Sequence, residues 1–195
     1  MSFLCDHLPL GPVVLDASSV INLLGCGDMR GVLGALRVPC FIEEKTLAEV
    51  TRHPVRGSDH RAELSGLRES GLLLTERMSD EEYEVYLSLV SRPLVGRLGD
   101  GESAAIALAH RGYAVILDEN KARRIVAKEF KSLHQVSTYR LALTAGYRAN
   151  WRIERVQSLL SAARLHARMG VPSDERDDLE KLMRGFSVSV QRTHP

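Results

Sequence analysis

Two short apolar runs, each ending on an aspartate, constrain this chain most: Val13-Val14-Leu15-Asp16 and Ala114-Val115-Ile116-Leu117-Asp118. An uninterrupted apolar run of this length, closed by a polar residue, suits a strand buried on both faces. Each run feeds a helical pattern, with Val20, Ile21, Leu23 and Leu24 after the first and Ala122, Ile125 and Val126 after the second. A strand passing directly into a helix is the repeating unit of a parallel sheet covered by helices. In such sheets the working site lies beyond the carboxyl ends of the strands, which is where both aspartates fall.

The rest of the chain fits the same plan. Gly25 and Gly27 end the first helix, a second strand is expected over 38–42, and a helix over 43–53 carries Glu49 and stops at Pro54. Residues 72–75 read as a third strand, and Ser79-Asp80-Glu81-Glu82 has the form of a capping box opening the next helix. An Ala-rich helix over 102–110, a helix over 119–130 and a short strand at Gln135-Val136 follow. The expected class is α/β: three layers, α/β/α, around a mainly parallel central sheet. With 195 residues and no linker or repeat, the chain divides softly into a domain over 1–146 and a helical extension over 147–195.

Composition narrows the partners. A hydrophobic fraction of 44% and a charged fraction of 26% belong to a globular protein, and a net charge of +1 means that any nucleic-acid contact is local. Cys5, Cys26 and Cys40 are odd in number and lack Cys-x-x-Cys spacing, which points to buried thiols rather than disulfides or zinc. The first residues put acid where a secretory signal carries Lys or Arg, and no apolar stretch is long enough to span a bilayer. A cytoplasmic location without membrane attachment is the expectation.

Each acid has an ordinary explanation when taken alone. Asp16 and Asp118 stand where Asp caps helices, Glu49 is spaced to pair with Lys45 or His53, and Asp100 and Glu102 suit a helix N-terminus. Together they fall at one predicted sheet edge. Two carboxylates about 4 Å apart repel by roughly 4 kcal/mol at an effective dielectric near 20, and a divalent cation reverses that sign. Oxygen ligands without His or Cys suit Mg²⁺ or Mn²⁺.

At these residues the sequence resembles the PIN-domain nucleases. The resemblance runs through Val-Val-Leu-Asp16-Ala-Ser18-Ser-Val-Ile21, Leu47-Ala-Glu49-Val, Gly99-Asp-Gly-Glu102 with its Ala-rich helix, and Ile116-Leu-Asp118-Glu-Asn-Lys-Ala-Arg123. It covers roughly residues 13–144. It implies a divalent-metal-dependent endoribonuclease with VapC-like toxins among its relatives, Asp16, Glu49, Glu102 and Asp118 holding the metal, and Ser18 supporting the site. Where many PIN domains have Asp at the third acidic position, this chain offers both Asp100 and Glu102. Glu102 is preferred because the helix after it matches better, and Asp100 is read as a cap or auxiliary ligand. The implied chemistry is attack on phosphorus by metal-activated water, consistent with the lack of a recognisable Ser-His-Asp or Cys-His arrangement. RNA is the preferred substrate and DNA stays open; an antitoxin protein is the partner implied for a toxin.

Other features carry less. Lys121, Arg124 and Lys128 recur at helical spacing and would track phosphates, although a solvated charged face is the slightly better account; Arg123 adds its place beside Asp118 in the family segment. Ile153, Val156, Leu160, Ala163 and Ala167 form a narrow 3-4 seam. The seam fits either a partner, including a second copy in a homodimer, or the chain's own domain, with more weight on the latter. A polar amphipathic helix is expected over 173–183. Gly25-Cys-Gly27 lacks the third glycine of a dinucleotide fingerprint, and no Walker A sequence occurs. Against the nuclease stand an inactive PIN-like scaffold that binds nucleic acid or protein, opposed by the retention of all four acids, and a magnesium-dependent phosphatase or receiver domain. The phosphatase is opposed by Ser18 standing where it needs a second Asp, and the receiver by the lack of an acidic pair and late Lys.

Overall fold

Five strands, β1 (Val13–Leu15), β2 (Cys40–Glu43), β3 (Leu74–Glu76), β4 (Ala114–Ile116) and β5 (Gln135–Val136), lie parallel in the order β3-β2-β1-β4-β5. The computed structural model describes residues 11–190, with side chains through Arg184. Strand order reverses between β1 and β4, which run side by side with Leu15 opposite Ile116. That reversal opens a crevice immediately beyond Asp16 and Asp118.

Because successive strand residues point to opposite faces, the sheet sorts its apolar side chains into two cores. Val13, Leu15, Ile42 and Ile116 face one layer; Val14, Phe41, Val115 and Leu117 face the other. The first layer comprises α1 (Ala17–Gly25), α2 (Met29–Leu36), α4 (His60–Glu69), α8 (Thr138–Arg148) and α9 (Ile153–His166). The second comprises α5 (Asp80–Val90), α6 (Asp100–Ala109) and α7 (Asn120–Glu129). The result is the three-layer α/β/α arrangement. In α6 the run Ala104-Ala105-Ile106-Ala107-Leu108-Ala109 is buried all round, since small side chains let the helix sit between the sheet and α5.

Several local expectations are corrected. The helix expected over 43–53 is only α3 (Glu44–Glu49): Val50 turns inward, 4% exposed, and His53 accepts the Val55 N–H at 3.0 Å instead of continuing the helix. α2 and α4 were hidden in the sequence, α2 by Gly31 and Gly34 inside its Met29, Val32, Leu33, Leu36 pattern, and α4 by its polarity. The helix expected over 102–110 begins two residues early, at Asp100.

The seam residues Val156, Leu160 and Ala163 are buried in the first core, and α9 packs on α1 and α8. Beyond α9, a 3-10 turn (Ser173–Glu175) leads into α10 (Arg176–Val190). Glu175 is buried there, accepting from the Ser137 hydroxyl and pairing with Arg123 at 3.4 Å and Arg140 at 3.9 Å. Cys26 and Cys40 are free and buried, and Cys5 lies outside the described residues. No helix among the described residues is long and apolar enough to cross a membrane.

Candidate active site

The crevice beyond β1 and β4 is a cleft of about 830 Å³, lined by Asp16, Glu49, Asp100, Glu102, Asp118 and Glu119 among others. Asp16 is 2% exposed at the end of β1 and caps α1, accepting the Ser19 N–H and the Ser18 hydroxyl, each at 2.7 Å. Burial pushes its carboxyl up to about 6, with repulsion from Asp118 adding to the rise and the two serines opposing it.

Asp118 does not cap the helix that follows it; the cap position of α7 is Glu119, whose side chain makes no capping bond. Asp118 instead accepts the Asn22 amide at 2.8 Å, the Thr138 N–H at 2.8 Å and the Thr138 hydroxyl at 2.6 Å. The helices that follow β1 and β5, the two strands flanking β4, therefore fix one carboxylate. Burial again raises its pKa, against those three hydrogen bonds.

Glu49, the last residue of α3, reaches the start of α6 because residue 101 is glycine: a Cβ there would stand 3.3 Å from both Glu49 Oε2 and Thr46 Cγ2. Its pKa is raised by burial and then by Asp100, Glu43 and Asp16. Asp100 opens α6 beside Tyr86, whose phenol pKa is raised by burial and then by the Asp100 carboxylate. Glu102 folds back to accept the Gly99 N–H at 3.1 Å, and its pKa is raised by burial and by a hydrogen bond and repulsion from Glu119.

The donor set is all oxygen and crowded with like charge, which fits Mg²⁺ or Mn²⁺ held partly through water. Among the described residues no three acidic, His or Cys side chains close round a single point. A closed cage is not what these cations need, since they keep several waters and bridge to substrate phosphates.

Lys121 lines the cleft but donates to the backbone carbonyls of Leu94, at 3.3 Å, and Arg97. Arg123 pairs with Asp174 at 3.2 Å and with Glu175, and Arg124 donates to the Asn120 carbonyl at 3.2 Å; both line a separate hollow.

A family model described as PIN domain matches residues 12–144. The chain belongs to the PIN-domain family. PIN domains are generally nucleases, usually use divalent metals and typically act on nucleic acids. Neither the curated proteins nor the solved structures give a match.

Residues in and just behind this PIN domain's cleft escape a reading by acidic pattern. Asn22 and Thr138 orient Asp118, while Arg52, Arg97 and Arg168 line the cleft together with the acids. A signal for the first pair exists: Asn22 interrupts an apolar helix run, and Thr138 follows a strand end as Asp16 and Asp118 do. The arginines have none, since only the folded chain brings residues 52 and 168 together.

Proposed function

We propose that this PIN domain is a divalent-metal-dependent endoribonuclease. The supporting observation is that Asp16 and Asp118, buried at the ends of neighbouring strands, open into one cleft with Glu49 and Glu102. Asp16, Glu49, Glu102 and Asp118 would hold Mg²⁺ or Mn²⁺, with Asp100 auxiliary. A cation held by these residues would supply an acidified water as the nucleophile and positive charge to offset that of the leaving oxygen. The chain's own part is to hold the carboxylates still: Ser18 and Ser19 fix Asp16, and Asn22 and Thr138 fix Asp118. Such outer partners typically matter 10- to 100-fold for metal affinity or activity.

RNA as substrate, a toxin role and an antitoxin partner rest on the family resemblance. The test is cleavage of labelled RNA and DNA strands by pure protein with Mg²⁺, with Mn²⁺ and with excess EDTA. Cleavage is expected with either metal and not with chelator. Robust cleavage in EDTA refutes the metal mechanism, and binding without cleavage in either metal favours an inactive scaffold.

A further inference from the structure

We propose that Arg52 and Arg168 form a phosphate subsite beside the acidic cleft, seating a backbone phosphate of the nucleic-acid strand next to the bond that is cut. The inference rests on the nuclease reading and adds to it a substrate contact made in part by the chain beyond residue 144.

Both arginines line the acidic cleft and also a second hollow of about 430 Å³ that continues it past Ile21 and Ala167. Both are exposed, and neither guanidinium has a hydrogen-bond or ion-pair partner among the described residues. Arg111, Arg123 and Arg140, by contrast, are each tied to carboxylates. Two guanidiniums without an ion-pair partner line the same hollow. A phosphate oxyanion matches the guanidinium fork and accepts from both.

The backbone holds each arginine in place. Arg168 follows the last turn of α9 with φ +57°, the left-handed conformation where helix ends favour glycine, at a cost of roughly 1–2 kcal/mol. Its neighbour Ala167 packs so closely on α1 that a Cβ on Gly25 would lie 2.6 Å from the Ala167 Cβ, which fixes the turn against the cleft wall. Arg52 precedes His53, whose Nδ1 accepts the Val55 N–H at 3.0 Å and whose Nε2 meets Glu63 at 3.1 Å, so the turn after α3 is pinned at its next residue. The match to the PIN-domain family ends at residue 144, so Arg168 is a contribution of this chain's own C-terminal segment.

The test measures binding of a fluorescein-labelled single-stranded oligoribonucleotide by anisotropy over a salt series, in full-length protein carrying Asp16→Asn to block turnover. Each lost phosphate contact lowers the slope of log K against log salt by about 0.7 for a single strand. Arg52→Gln with Arg168→Gln is expected to lower it by about that amount, and Arg168→Lys to keep most of it. Arg168→Gly separates charge from structure: it suits the backbone, so the melting temperature holds or rises, yet affinity falls as with Gln. Cleavage by the protein without these substitutions is followed in parallel. If it cleaves while the double Gln variant keeps the full slope, the subsite is overturned and the nuclease reading stands. If the slope falls as expected but neither metal supports cleavage, the subsite stands and the nuclease reading fails. A protein that binds no strand overturns the subsite.

Discussion

Asp16→Asn separates a helix cap from a metal ligand, because Asn preserves the cap while removing the charge through which a metal would stabilise the fold and support cleavage. The folded carboxyl titrates near 6 against 3.8 for an ordinary aspartate, a difference of about 3 kcal/mol between protonation states. Below 3.8 both folded and unfolded chains hold the proton and the site costs nothing. As pH rises from 3.8 to 6 the unfolded chain ionises first, so folding loses free energy, and above 6 the loss is complete and constant. The penalty is about 1 kcal/mol at pH 4.5 and about 3 kcal/mol at pH 7.5.

Asn keeps the cap, accepting the Ser19 N–H as Asp does, and its new amide N–H can donate to the Ser18 hydroxyl. Removing the ionisation penalty should therefore raise metal-free stability at pH 7.5 by about 1–3 kcal/mol, or roughly 2–4 °C in melting temperature per kcal/mol. The gain should shrink towards pH 4.5. Under the proposed ligand role, Mg²⁺ at a hundred times its Kd should add about 2.7 kcal/mol to the parent and little to the variant, closing or reversing the gap, and RNA cleavage should be lost. Thermal melts in EDTA and in Mg²⁺ at both pH values measure this. A variant that melts lower by the same amount at both pH values, ignores Mg²⁺ no more than its parent does and still cleaves would leave Asp16 as a cap alone.

Other consequences can be measured separately. Thr138→Val removes the 2.6 Å hydroxyl bond to Asp118 and should weaken Mg²⁺ binding or cleavage 10- to 100-fold with the fold intact; a variant with parental Mg²⁺ affinity and rate counts against Asp118 as a ligand. Burial pushes the Cys26 and Cys40 thiols up to about 11 and 12, so a thiol reagent at pH 8 should label them only after denaturation, and fast native labelling would contradict their burial. Val156→Asp or Leu160→Asp puts a charge into the first core and should unfold the chain, seen as lost far-ultraviolet dichroism; a folded variant of altered mass would revive the partner seam. A chain ending at Gly146 loses Val156, Leu159, Leu160 and Ala163 from that core, roughly 1.5–3 kcal/mol for each of the larger side chains, and should not give a cooperative melt.

The sheet was legible because its strands are buried on both faces, so Val13-Val14-Leu15 and Ala114-Val115-Ile116 appear as unbroken apolar runs. β3 showed less clearly, since Leu74 is exposed at the sheet edge and the observed strand starts two residues later than expected. α4 was illegible because only Leu64 and Leu67 in it are buried. The aspartates of the cleft follow from strand ends, whereas Asn22, Thr138, Arg52 and Arg168 owe their place to packing between segments far apart in sequence. The spacing that nominated Lys121, Arg123 and Arg124 marks a helix face but cannot tell a free charge from a tethered one. Arg123 is bound to Asp174 and Glu175, and that pairing depends on where the C-terminal segment returns.

That return explains how an extension can matter to a site the family match already encloses. α9 completes the core beneath β1, so the position of Asp16 depends on it. Glu175 reaches the start of α8 through Ser137, the residue before Thr138, and Thr138 in turn holds Asp118. A charge added by Glu175 also raises the Asp118 pKa, against the hydrogen bonds that lower it. Arg123 and Arg140 offset that charge, which is why two arginines converge on one buried glutamate. Replacing Glu175 by Gln would therefore leave two cations facing a neutral amide beside the cleft. Ionisation of Asp118 should become easier and its proton should be lost at lower pH, even though Glu175 touches neither the cleft wall nor the carboxylate itself.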